Sequence, residues 1–278
     1  MKSNPASKVI SKKKSSGGIF ETIKTIIYAV LIALVVRTVA YEPFNIPSGS
    51  MIPALLVGDY LFVSKFSYGY SRYSLPFDLP LFSGRIFSRP PERGDIAVFK
   101  LPTDNSTDYI KRIVGLPGDR IQMRNGLLYI NDKLLPRRQI EDYIDRDHPG
   151  SPPLSQYIET LPNGRDHRII LGRERGNLLN VPATNNTICD VKLFDMSRYD
   201  AHNTCIYVVP SDHYFGMGDN RDSSQDSRVL TAVGYIPAAN LVGRAEFIFF
   251  STDGSAHWWE VWRWPFAIRY ARLFHGVN

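Results

Sequence analysis

The residues of this 278-residue chain best suited to covalent chemistry are two serines in the turn Pro47-Ser48-Gly49-Ser50-Met51 and a lysine in the run Tyr109-Ile110-Lys111-Arg112. A serine hydroxyl is a weak nucleophile until a base takes its proton. None of the six histidines (His148, His167, His202, His213, His257, His275) stands beside a motif suited to a Ser-His-Asp triad. A lysine can act as the base only when neutral, and at its ordinary pKa of about 10.4 less than about 0.1% is neutral at pH 7. Burial lowers that pKa, and a drop of roughly 2 units costs about 3 kcal/mol. Strand alternation would put Lys111 on one face with Tyr109 and Ile113 and turn Arg112 the other way. The residues alone leave two outcomes open, a buried amine or an ordinary lysine protruding from a strand edge into water. Ser-Gly-Ser is likewise a common loop composition, and only its setting raises its interest.

That setting is an apolar segment that ends at Ala40, seven residues before Pro47. From Ile23 to Ala40 only Lys24, Thr25, Arg37 and Thr38 are polar, and Ile26 to Val36 is free of charge. Hydrocarbon about 30 Å thick needs roughly 20 helical residues, so the segment spans if its end charges snorkel. The preceding tail carries Lys2, Lys8, Lys12, Lys13 and Lys14 with no acid before Glu21, which predicts a cytoplasmic amino terminus and an exported remainder. A cleaved secretory signal is the rival reading, because Thr38-Val39-Ala40 loosely resembles a small-x-small site. Arg37 beside that site and the length of the apolar run favour retention.

The net charge of +6 (33 Lys+Arg, 27 Asp+Glu) comes mostly from the five tail lysines. The rest is nearly neutral, so no nucleic-acid partner is expected. Cys189 and Cys205 are the only cysteines. In an exported domain a disulfide between them would stabilise by roughly 3 kcal/mol in the chain-entropy model; the alternative is two unrelated small apolar residues. Nothing near them suggests a metal, and no cofactor is expected.

Beyond the anchor the periodicity is that of strands: Asp95–Lys100, Tyr109–Val114, Arg120–Arg124, Leu127–Ile130, Lys133–Leu135, Cys205–Val209, His213–Met217 and Arg244–Phe250. Asn125-Gly126 is a strong two-residue hairpin signal, and Asn131-Asp132 marks a second turn. The expected fold is mostly β, an antiparallel-sheet catalytic domain with an inserted lobe, preceded by one transmembrane helix. The expected division is a basic tail (1–18), an anchor (19–40), a β core (41–135 and 205–250), a polar inserted lobe (136–204) and an aromatic tail (251–278). No chemistry is assigned to the lobe. The tail holds all four tryptophans, Trp258, Trp259, Trp262 and Trp264, interleaved with arginines as in a segment lying among headgroups. Residues 66–90, with Phe66, Tyr68, Tyr70, Tyr73, Phe77, Phe82 and Phe87, either touch the membrane interface or pack on the core.

A last patch runs from Gly216 to Arg228. Its glycines fall short of a dinucleotide fingerprint and its acids lack the terminal glutamate of a calcium loop. A polar network that positions a buried amine fits better, with Asp222, Asp226, Arg221 and Arg228 pairing internally.

Together these patches resemble the bacterial type I signal peptidases (leader peptidases, Ser/Lys endopeptidases). The likeness is carried by Ile46-Pro47-Ser48-Gly49-Ser50-Met51-Ile52-Pro53, Arg93-Gly94-Asp95-Ile96-Ala97-Val98-Phe99, Asp108 through Asp119, Gly218-Asp219-Asn220-Arg221-Asp222, Ser224, Asp226-Ser227-Arg228 and Asn240-Leu241-Val242-Gly243-Arg244. It covers most of residues 42–135 and 205–250 and leaves the insertions out. The resemblance implies Ser50 as nucleophile and Lys111 as general base, with the Ser48 hydroxyl and the Ser50 N–H as the oxyanion hole. It further implies that Ser224 holds the lysine amine, that Asp226 and Arg228 brace that loop, and that Ile46, Met51, Leu55, Tyr109 and Ile110 line the substrate pockets. The implied substrates are exported preproteins cut after small residues of Ala-x-Ala type, at the inner-membrane surface near the secretion translocon. Ala54 departs from a common threonine, and a single span replaces the two of some members. Two rivals are a self-cleaving repressor, disfavoured by the anchor and by the lack of a DNA-binding head, and a non-catalytic export scaffold.

Overall fold

The computed structural model describes residues 18–75, 82, 84–172, 187–193, 200–257 and 259–277. The five tail lysines, Phe77 and Trp258 lie outside these residues, as does part of 136–204. The apolar segment forms one helix, α1 (Gly18–Val39), with a mean hydropathy of 2.2 and no buried residue. At a rise of 1.5 Å per residue its 22 residues reach about 33 Å, enough to cross a bilayer.

Only Ala40 separates α1 from the first strand. The strands are β1 (Tyr41–Asn45), β2 (Asp59–Ser64), β3 (Ile96–Lys100), β4 (Asp108–Gly115), β5 (Arg120–Arg124), β6 (Leu127–Ile130), β7 (Lys133–Leu134) and β8 (Arg137–Gln139). They continue as β9 (Ser155–Thr160), β10 (Asp166–Leu171), β11 (Tyr207–Val208), β12 (His213–Met217), β13 (Ile236–Pro237), β14 (Leu241–Ser251) and β15 (His275–Gly276). Apart from α1, the α-helix among the described residues is the four-residue α2 (Trp264–Ala267). The chain is therefore mostly antiparallel β.

The main sheet runs β1-β2-β14-β3-β4-β12-β13, with β15 added alongside β14. Its centre is buried on both faces: Ile96, Ala97, Val98 and Phe99 of β3 lie against β4 and β14. Ile46, Met51, Leu55, Leu61, Val63, Ile96, Val98 and Val242 pack beneath the serine turn. A second sheet, β11-β5-β6-β7, closes a core of Val114, Ile121, Met123, Leu128 and Phe215. Its hairpin turns at Asn125 and Gly126, both with positive φ (50° and 71°), the conformation a two-residue connection demands.

Residues 136–204, expected as an inserted lobe, have more order than their composition suggests. Among those described, β8, β9 and β10 form a three-stranded sheet. Its buried positions include Gln156, Glu159 and His167. Polar side chains at inward positions erase the alternation by which a half-buried strand is recognised. Within 66–90, Tyr68 and Tyr73 are buried while Phe66 and Phe87 are exposed, so the aromatic cluster divides between core and surface. Trp259, Trp262, Trp264, Phe266, Tyr270 and Phe274 of the tail are exposed. Arg272 pairs with the buried Asp59 at 2.5 Å and Arg269 with Asp147 at 2.7 Å, tying that tail to the sheet.

Candidate active site

The short 3-10 turn Gly49–Met51 follows β1 and carries Ser50 over the middle of the sheet. On β4, Lys111 pairs with Ala97 of β3, so its side chain rises from a covered strand rather than a free edge. Lys111 is only 3% exposed and Ser50 7%. Lys111 Nζ lies 2.9 Å from Ser50 Oγ, 2.9 Å from the Ile110 carbonyl and 5.4 Å from the centre of the Tyr109 ring. Gly216 on β12 makes room for the stem of this side chain: a Cβ there would stand 3.0 Å from Lys111 Cβ and 2.8 Å from Ile236 Cδ1.

Burial brings the Lys111 pKa down to about 8, against the opposing pull of Asp226 and Asp219 and with a smaller push from Arg228. At pH 7 roughly a tenth of the amine is then neutral, a gain of more than about a hundredfold over a free lysine.

The loop from Gly218 to Arg228 closes over this pair. Its aspartates and arginines do not all pair with each other, as the sequence suggests they would. Asp226 and Arg228 do, through two contacts of 2.8 Å, and Asp226 also accepts the Gly218 N–H at 3.0 Å. Arg221 instead reaches Glu159 of β9, at 3.2 and 2.5 Å. Asp222 takes His202 at 2.9 Å and the Gly172 N–H at 2.5 Å. Arg112, turned away from Lys111 as alternation requires, holds Asp219 through Nε (2.8 Å) and Nη2 (2.7 Å).

Ser224 departs from the role the resemblance implies. Its hydroxyl is buried and makes no hydrogen bond to the amine, which contacts Ser50 and the Ile110 carbonyl instead; the hydroxyl faces Asp226 and helps hold that carboxylate ionised. Steric closeness explains the position: a Cβ on Gly218 would fall 2.2 Å from Ser224 Oγ and 2.5 Å from the Ser50 carbonyl oxygen. Only glycine at 218 permits this approach. Ser48 Oγ lies 3.4 Å from Ser50 Oγ, a long contact.

A cleft of about 550 Å³ opens beside Ser50 and Lys111, lined by Phe44, Ile46, Ser48, Val98, Tyr109, Ile110 and Gln225 among others. Tyr109 Oη donates to Gln225 Oε1 at 3.2 Å across its rim. Of the five expected pocket residues, Ile46, Tyr109 and Ile110 line the cleft. Met51 and Leu55 do not: both are fully buried, packed in the core with Leu61, Val63, Ile96 and Val98. Cys189 and Cys205 are joined in a disulfide, on the same segment that presents His202 to Asp222.

The residues that sequence reasoning left without a role are Asn220, Arg112, Glu159 and His167. Asn220 donates from Nδ2 to the Gly49 carbonyl and from its backbone N–H to the Ser50 carbonyl, at 3.1 Å each. Its place in the Gly-Asp-Asn-Arg-Asp block was a usable signal. Glu159, 62 residues before its partner Arg221, had none.

A serine hydroxyl against a partly neutral, buried lysine in an apolar cleft has the make-up of a serine-type hydrolase. The family model described as "Signal peptidase, peptidase S26" matches residues 19–250. The chain belongs to this family. It is 41% identical over 263 residues to the signal peptidase I of Rickettsia typhi, covering 90% of each chain. To the signal peptidase I of Rickettsia conorii it is 44% identical over 236 residues, 84% of this chain and 79% of that one. Among solved structures it matches a signal peptidase I from Enterococcus faecalis V583 at 23% identity and a TM-score of 0.29, over 56% of this chain and 97% of that one.

Proposed function

We propose that this enzyme removes amino-terminal signal peptides from exported preproteins, with Ser50 as nucleophile and Lys111 as general base. The observation that carries the reading is the burial of an amine to 3% exposure within 2.9 Å of a serine hydroxyl, at the wall of a cleft. Neutral Lys111 takes the Ser50 proton as Oγ attacks the scissile carbonyl. The tetrahedral oxyanion is met by the Ser50 N–H and the Ser48 hydroxyl, each donor worth roughly 3–4 kcal/mol. The protonated lysine then delivers its proton to the departing amine, leaving an acyl-enzyme. A water deprotonated by the same lysine hydrolyses that ester and releases Ser50.

The apolar lining from Ile46, Val98 and Ile110 would exclude bulky side chains beside the scissile bond, which favours cleavage after small residues of Ala-x-Ala type. In this reading α1 anchors the enzyme in the cytoplasmic membrane, with its amino terminus inside and the β core on the exported face. The exposed aromatic tail, with Phe66 and Phe87, rests in the lipid headgroups, and the enzyme works beside the secretion translocon.

Ser50→Ala and Lys111→Ala test the dyad. Both variants should remain folded by circular dichroism and lose preprotein cleavage. Turnover by either at the normal rate would refute it and leave the scaffold reading standing.

A further inference from the structure

We infer that Asn220 is a positioning residue for the oxyanion donor, holding the peptide plane that carries the Ser50 N–H. The inference rests on the Ser50/Lys111 reading above. The Gly49 carbonyl and the Ser50 N–H belong to one rigid planar unit. Whatever restrains the oxygen therefore aims the hydrogen at the opposite end.

Asn220 restrains it from the side chain. Nδ2 donates to the Gly49 carbonyl at 3.1 Å, an oxygen that the Ile52 N–H also reaches at 3.2 Å. The amide orientation follows from chemistry, since Oδ1 in that place would set oxygen against oxygen. The Asn220 backbone N–H donates to the Ser50 carbonyl, also at 3.1 Å. One residue thus grips the peptide units on both sides of the Ser50 Cα.

Asn220 is itself fixed from both neighbours. Asp219 is clamped by Arg112 and accepts the Ile170 N–H at 3.0 Å; the Arg221 N–H returns to the Ile170 carbonyl at 3.1 Å. Arg221 is anchored in turn on Glu159. A chain of short contacts therefore runs from the β8-β9-β10 sheet, through Asn220, to the peptide beside the nucleophile. Without the Asn220 amide, the Gly49 carbonyl keeps only the 3.2 Å contact from Ile52, within a single short 3-10 turn. Hydrogen bonds weaken steeply with misalignment, and deleting a whole oxyanion donor costs about 10²–10³ in rate, so a misaimed donor forfeits part of that.

The test uses full-length enzyme in detergent micelles with a preprotein substrate. For Asn220→Ala we expect kcat to fall about 10- to 100-fold, with KM within about threefold and the midpoint of the kcat–pH profile unmoved. A peptide aldehyde, whose hemiacetal oxygen occupies the oxyanion position, should lose affinity by a similar factor, while a cleaved product peptide binds as before. Asn220→Asp is the second variant: it keeps the shape and the backbone contact but presents only acceptors to Gly49. It is compared with wild type on the alkaline plateau, where the lysine is neutral in both. Unchanged kcat in a folded variant overturns the inference. So does a loss accompanied by a shifted midpoint in Asn220→Ala, which would place the effect on the lysine. Ser50→Ala is assayed in parallel, and if it still cleaves, the dyad reading itself has failed.

Discussion

Arg221, on the loop that covers Ser50, and Glu159, on the β8-β9-β10 sheet, form a two-contact ion pair in which both side chains are at most 2% exposed. His167 approaches the same carboxylate at 3.4 Å. Burial alone would raise the Glu159 pKa, but Arg221 and His167 overcome it and hold the carboxyl at about 2. A carboxyl depressed in the folded state stabilises above its ordinary pKa near 4.5, and that contribution is lost as pH falls toward 2. Glu159→Ala strands a buried guanidinium and should cost about 3–5 kcal/mol in denaturant unfolding. Replacing both partners by apolar residues should cost much less. Equal losses in the single and double variants would contradict this.

Activity should rise with pH through about 8, following the neutral fraction of Lys111. The sign is set by the proposed role: with the deprotonated amine as the base, the acidic limb is the inactive one. Profiles of kcat/KM between pH 6 and 10 check this, and a midpoint near 10 would show an amine in water.

Lys111→Met should stabilise the fold at neutral pH. The folded lysine titrates near 8 and the unfolded one near 10.5, so between these values the unfolded chain binds more protons. Wild-type stability therefore rises with pH across that window, and the penalty for burying the charge is fully present below it. The penalty is of order 3 kcal/mol, already net of what Asp226 and Asp219 return. Melting at pH 6.5 should favour the variant, with the gap shrinking by pH 10; an unstable variant at both values would sink the argument.

Replacing both cysteines by serine should lower stability by about 3 kcal/mol. Cleavage below the melting temperature should change less than about twofold, because the link lies outside the cleft. No change in the unfolding midpoint would mean that the rest of the fold already constrains this segment.

Most of the strands were legible, because β3, β4, β12 and β14 alternate or run apolar between clear turn residues. The site was legible as three patches, and α1 as a continuous apolar run. The β8-β9-β10 sheet was not, since Glu159, Gln156 and His167 occupy inward positions that ordinarily hold apolar side chains. The fate of Ser224 was also hidden: its burial depends on Gly218, six residues away, lacking a side chain. Met51 and Leu55 read as pocket residues by position, and only the path of the turn shows that they face down. The partners of Arg221 and Asp222 lie on distant segments, so nearness in sequence misled where nearness in space decides.

Between α1 and β1 there is no slack. The Ala40 carbonyl accepts the Lys65 N–H at 3.0 Å, Tyr70 Oη donates to the Val39 carbonyl at 2.7 Å, and Arg37 pairs with Glu42 at 2.6 Å. If the helix stands in the bilayer as proposed, its stiff junction sets the nucleophile at a constant height above the lipid. A passing polypeptide could then be severed only where its own stretch of chain, measured outward from its hydrophobic helix, matches that height. Adding a few glycines after Ala40 would blur the gauge without touching the chemistry.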